Sequence, residues 1–167
     1  MRQIAILFAV TMMMSSFTLA KENLEIENQA IIAIVVSNEQ IPTELKLSAK
    51  NLSLIFWRKQ LFWPQGVPIK PVNLRSQDPL RIQFSEATLG STPEAQIDYW
   101  NGQYFNGILP PYSVNSEEAV LRYIANTKGA IGYVNACNVD ERVQGLLWLM
   151  PNGEMRKSKP ALDSCVK

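Results

Sequence analysis

The sequence predicts an α/β fold: a central, mostly parallel sheet flanked by helices. Three observations carry this. Ala30 to Val36 (AIIAIVV) is an unbroken apolar run of strand length, the pattern of a strand buried on both faces. Ser-, Asp- and Thr-led helix starts follow at Ser48, Asp78-Pro79 and Thr92-Pro93, each placing a capping side chain ahead of a helical apolar pattern. Strand, helix, strand, helices, strand is the order expected of sheet strands joined by crossovers.

In chain order, Ala30 to Val36 is the first strand, ended by Ser37-Asn38, and Pro42 keeps the next loop from becoming helix. Ser48 caps a helix from about Ala49 to Trp57, with Leu52, Ile55 and Phe56 three and four apart. Phe62-Trp63-Pro64-Gln65-Gly66 is a proline-broken aromatic turn, and its rings are read as packing groups. Ile69 to Leu74 is the second strand, and Pro71 inside it argues for an edge position or an irregularity. Ser76-Gln77-Asp78-Pro79 turns into a helix from Pro79 to about Thr88, with Asp78 as cap. Thr92-Pro93-Glu94 opens another, ending near Asn106-Gly107. After Pro110-Pro111, Asn115 or Ser116 caps a helix whose buried stripe is Val120, Leu121, Ile124 and Ala125. Ala130 to Asn135 is a third strand and Gly145 to Met150 a fourth, followed by a polar tail.

The chain has 167 residues, enough for one domain. Residues 1–20 read as a signal peptide: Arg2, an apolar stretch from Ile4 to Met14, and Thr18-Leu19-Ala20 as a cleavage site. That stretch is well short of the roughly 20 residues a bilayer span needs, which weighs against an uncleaved anchor. The expected division is therefore a signal peptide over 1–20 and one domain over 21–167, destined for the periplasm without membrane insertion. Of 16 Lys and Arg, one (Arg2) falls in the signal segment, leaving 15 bases against 15 acids. A balanced chain has no field to draw it to nucleic acid. In an exported protein the two cysteines, Cys137 and Cys165, are expected to pair and tie the tail to a strand end, two free thiols being the alternative.

Catalytic chemistry finds little support. There is no histidine, which removes the histidine-based triads and the commonest metal ligand. Two cysteines 28 positions apart make no zinc pattern, and no phosphate-cradling glycine motif is present. Glu117 and Glu118 read as helix-dipole partners and Asp78 as a cap. No enzyme, metal or cofactor is expected. Ligands of α/β sheets bind where strands end and helices begin. That places a candidate site at Ser37 and Asn38 after the first strand and at Arg75, Ser76, Gln77 and Asp78 after the second. Arg75 offers a guanidinium fork to an oxyanion; Ser76, Gln77 and the N–H groups after Asp78 offer donors. The competing reading makes Asp78 only a cap and Arg75 only a solvated charge.

Ile55-Phe56, Lys59, Trp63, Gly66, Pro71-Val72-Asn73, Pro79-Leu80-Arg81, Phe84, Tyr99-Trp100 and the closing Gly129-Ala130-Ile131-Gly132-Tyr133-Val134 together resemble the phosphate-binding periplasmic proteins of ABC transporters (PstS-like). The resemblance runs from about Ile31 to Asn135. It implies a single periplasmic-binding-protein-like lobe, export, and a small oxyanion such as phosphate as ligand, with Arg75 standing in for the family's arginine. Asp78 stands where the family has a small hydroxyl residue, and Arg58 where it ends a helix with glycine. These departures motivate a second reading: a non-catalytic periplasmic module with a decayed ligand site. Trp57, Phe62, Trp63 and Tyr112 would then face a protein partner or a second copy of the chain.

Overall fold

A computed structural model describes residues 29–38, 47–162 and 165. The expected signal peptide and Pro42 lie outside these residues. The first strand, β1 (Ile32–Ser37), is buried along its whole length. Helix α1 (Ala49–Phe56) follows, and Ser48 Oγ accepts from the Asn51 N–H. Then come β2 (Lys70–Leu74) and helix α2 (Pro79–Leu89), the latter closed by Gly90 in the left-handed conformation. A 3-10 turn (Glu94–Gln96) leads into helix α3 (Ile97–Tyr104). Strand β3 (Tyr112–Val114), helix α4 (Glu117–Asn126) and strand β4 (Ala130–Asn135) come next. Strands β5 (Val143–Leu149) and β6 (Met155–Arg156) complete the described elements. Ser116, of the two residues weighed, caps α4: its Oγ accepts from the Ala119 N–H. Where a glycine would end α1, Arg58 itself takes a positive φ of 57°, and its Nη1 donates to the Ile69 carbonyl at 3.0 Å.

The strands form one six-stranded sheet in the order β3-β2-β4-β1-β5-β6. The α/β class and the adjacency of β1, β2 and β4 hold. The mostly parallel arrangement does not. β2 runs parallel to β3 and β4, but β1 is antiparallel to both β4 and β5, and β5 to β6, so the sheet is mixed. An apolar run buried on both faces reports burial and carries no information on direction. β2 is also no edge strand. It pairs with β4 through Lys70 and Pro71, then with β3 through Val72 to Leu74, so the missing Pro71 N–H falls where the ladder changes sides. The true edges, β3 and β6, are the two strands the sequence hid.

Helices cover both faces. Tyr133 stacks on Phe84 of α2 at 4.0 Å and lies 5.9 Å from Phe56 of α1. Its neighbour Gly132 points the other way, as alternate strand residues must. A Cβ there would meet Val72 at 2.6 Å and Ile124 and Val120 of α4 at 3.0 Å. Gly129 is required for a different reason: its φ is +80°, and a Cβ would collide with the Pro68 carbonyl. Its own carbonyl accepts from Trp63 Nε1 at 3.1 Å and from the Lys70 N–H at 3.0 Å. Trp63 is thus a core residue, 4% exposed, and not part of a partner-facing surface. Trp57 is half-buried against Tyr99 and Trp100. Phe62 and Tyr112 are exposed as the partner-surface reading requires. Cys137 and Cys165 form a disulfide, tying the tail to the end of β4.

Candidate functional site

Antiparallel β1 separates the six candidate residues into two groups. Ile32 pairs with Asn135 and Val36 with Ile131, so β1 ends where β4 begins. β2 runs with β4, so Arg75 lies at the other end of the sheet. Five residues of strand, at about 3.3 Å each, put Ser37 and Arg75 about 17 Å apart along the strand direction. Ser37 is buried opposite Val143, and Asn38 Nδ2 donates to the Glu141 carbonyl. These two residues share no site with Arg75.

The second group stays together. The Arg75 N–H donates to the Val114 carbonyl at 3.0 Å, and the Asp78 N–H returns to the Arg75 carbonyl at 3.1 Å. This closes a tight turn at the exit of β2. Arg75, Ser76 and Gln77 are exposed and Asp78 is half-buried. Among the described residues the Arg75 guanidinium has no hydrogen-bond or ion-pair partner. Asp78 does not neutralise it: its Oδ1 accepts from the Leu80 N–H at 2.9 Å. The donors expected after Asp78 are correspondingly fewer, since Leu80 is capped and Pro79 has no N–H.

Arg81, which the sequence does not single out as a candidate, is the buried charge nearest this turn. It sits on the third position of α2 and is 6% exposed. Its Nη2 donates to Gln96 Oε1 at 3.2 Å, while its Nη1 is buried without a partner. Gln96 is itself held: its Nε2 donates to the Ser91 carbonyl at 3.0 Å, and its Oε1 also accepts from Trp100 Nε1 at 3.4 Å. The guanidinium lies beside the Tyr133 hydroxyl, which accepts from the Leu74 N–H at 3.3 Å. Burial pushes the Tyr133 phenol up to about 12, with Arg81 and the Leu74 N–H pulling the other way. A helical side chain covers the turn preceding its own Cα, so Arg81 lies behind the Arg75–Asp78 turn. The signal in the sequence was a basic residue in a helix's first turn, where the dipole disfavours one.

No protein-family model and no curated protein sequence matches the chain. Solved structures do. An ABC-type phosphate transport receptor from Vibrio cholerae superposes with a TM-score of 0.55 at 21% identity, over 70% of this chain and 46% of the receptor. A protein described as a phosphate ABC transporter substrate-binding protein, from Clostridium perfringens and with bound phosphate, gives 0.55 at 20% identity, over 72% and 45%. The fold is that of a periplasmic-binding-protein-like lobe. The chain spans less than half the length of either protein.

Proposed function

We propose that this is an exported, non-catalytic solute-binding-like protein of the PstS-like superfamily, and that it takes a small oxyanion such as phosphate at the Arg75–Asp78 turn. The observation that carries this is an arginine without a hydrogen-bond or ion-pair partner among the described residues, at the exit of β2 beside the start of an eleven-residue helix, in a fold shared with an ABC-type phosphate transport receptor and a phosphate ABC transporter substrate-binding protein. Helix N-termini and arginine forks both favour tetrahedral oxyanions. The site is open and has few main-chain donors, so binding is weak. Titration of inorganic phosphate into the purified protein, followed by amide NMR, should move resonances of residues 75–81 and leave Ser37 and Asn38 still. No shift at millimolar phosphate refutes the reading. Export is checked by fractionation: the protein should be periplasmic and begin at Lys21.

A second reading, a module docking a partner or a second copy, is favoured by the exposed apolar side chains. Phe62, Ile97, Tyr104, Phe105, Leu109 and Tyr112 are each more than half exposed, and monomers rarely leave large apolar patches uncovered. Sedimentation equilibrium separates the cases, since a strictly monomeric species weakens self-association.

A further inference from the structure

Arg81 carries three penalties that its own surroundings do not repay. The side chain is buried, and a buried cation without a counter-charge is costly. The polar groups seen at its head, Gln96 Oε1 and the Tyr133 hydroxyl, are neutral, and Nη1 makes no hydrogen bond of its own among the described residues. No ion pair links it to any carboxylate among the described residues; the nearest acid in sequence, Asp78, caps Leu80. Finally, it stands in the first turn of α2, where the helix dipole repels positive charge. Cost accumulated at one place without local compensation is the mark of a functional constraint.

The surroundings also show what would relieve it. Ser85 follows Arg81 by four residues and Thr88 by seven, on one face of α2; Ser85 Oγ and Thr88 Oγ1 are buried and unpaired too. On β2, Asn73 points to the same side of the sheet as Tyr133, because its neighbour Val72 faces α4. Arg81 is the member of this helix face nearest the Arg75–Asp78 turn, Ser85 and Thr88 following one and two helical turns further on. Asp78 already puts one carboxylate at the turn, committed through Oδ1 to the Leu80 N–H and felt at the Tyr133 hydroxyl; a bound anion would add negative charge facing both the buried cation and the helix start.

We infer that Arg81 is the specificity-determining cation of the oxyanion site, a positioning charge behind the Arg75 turn that makes the site require an anion. This rests on the proposed oxyanion binding. The two arginines then differ in kind. Exposed Arg75 contributes through solvent and is screened by salt; buried Arg81 acts through protein and is screened much less.

Calorimetric titration of inorganic phosphate at about 20 and about 300 mM NaCl, where the Debye length falls several-fold, tests this. Wild type, Arg75→Gln, Arg81→Met, Arg81→Gln and Arg81→Lys are compared. The expected result is a tenfold or greater loss of affinity for Arg81→Met at both salt concentrations. Arg81→Lys should stay within a few-fold of wild type, and the Arg75→Gln defect should shrink at high salt. Arg81→Gln keeps a polar head toward Gln96 and removes only the charge, so it carries the test if the methionine variant does not fold. Wild-type affinity in both neutral variants overturns the inference and leaves the site to Arg75. Absence of binding by wild type is a distinct result, which overturns the proposed function and this inference with it.

Discussion

Gly132→Ala tests the packing that holds the sheet to α4. A Cβ at 132 would lie 2.6 Å from Val72 Cγ1 and 3.0 Å from Val120 Cγ1 and Ile124 Cδ1, where carbon atoms normally sit about 3.5–4.0 Å apart. All three neighbours are fully buried, so none can swing into solvent. Overpacking of this kind costs about 1–3 kcal/mol, and the lower chain entropy of alanine in the unfolded state returns about 0.4–1 kcal/mol. The net expectation is a loss of about 1–2 kcal/mol, or roughly 3–6 °C in Tm for a domain of this size. Urea denaturation with an unchanged m-value is the assay. Gly102→Ala is the internal control: it lies within α3 with nothing inside 4 Å of a new Cβ. It should gain up to about 1 kcal/mol from helix propensity alone. Adding Val72→Ala removes the 2.6 Å contact, so the double variant should lose less than the sum of the singles. A Gly132→Ala variant as stable as wild type would refute the placement of α4 on this strand.

Three further outcomes follow from the structure. Replacing Cys137 and Cys165 by serine opens a cross-link between residues 28 apart and should cost about 3.5 kcal/mol in the chain-entropy account, read as a lower denaturation midpoint in the variant than in the oxidised wild type. Glu118 is held down to about 2 by hydrogen bonds from Arg142 and then Arg122. Its contribution is present above the unfolded value of about 4.3 and lost as pH falls through about 2, so Glu118→Gln should flatten that part of the acid-stability profile. Trp63→Phe removes the indole donor to the Gly129 carbonyl, which keeps the Lys70 N–H, and should cost about 1 kcal/mol plus the lost ring volume, seen by thermal denaturation.

What was legible in the sequence is what is decided locally. Ser48, Asp78 and Ser116 each cap the helix that follows, because a cap needs only its own next three residues. The pattern after Thr92 predicts one continuous helix. It opens instead with a 3-10 turn, in which Thr92 Oγ1 accepts from the Ala95 N–H at 3.3 Å, before α3 begins. β3 has three residues after Pro110-Pro111, too few to show alternation. β6 exists because the Met150 N–H reaches the Glu154 carbonyl across a turn with Gly153 at φ +81°. Its two residues resemble a polar tail.

The direction of β1 is where local reading failed, and it matters most for the site. A parallel β1 would have brought Ser37 and Asn38 to the same sheet end as Arg75, and both expectations came from one assumption. The pairing of Ile32 with both Asn135 and Leu149 is a contact over more than a hundred residues, invisible to any window of sequence. The same limit hid Arg81. The sequence marks it only as a basic residue at a helix position the dipole disfavours; its burial depends on partners across the fold, Gln96 and Tyr133. The recognisable string Arg75-Ser76-Gln77-Asp78-Pro79 therefore locates the turn correctly. Arg81, buried and without an ion pair among the described residues, stands just beyond it, and phosphate titration of its charge-removing variants decides whether the turn meets an anion.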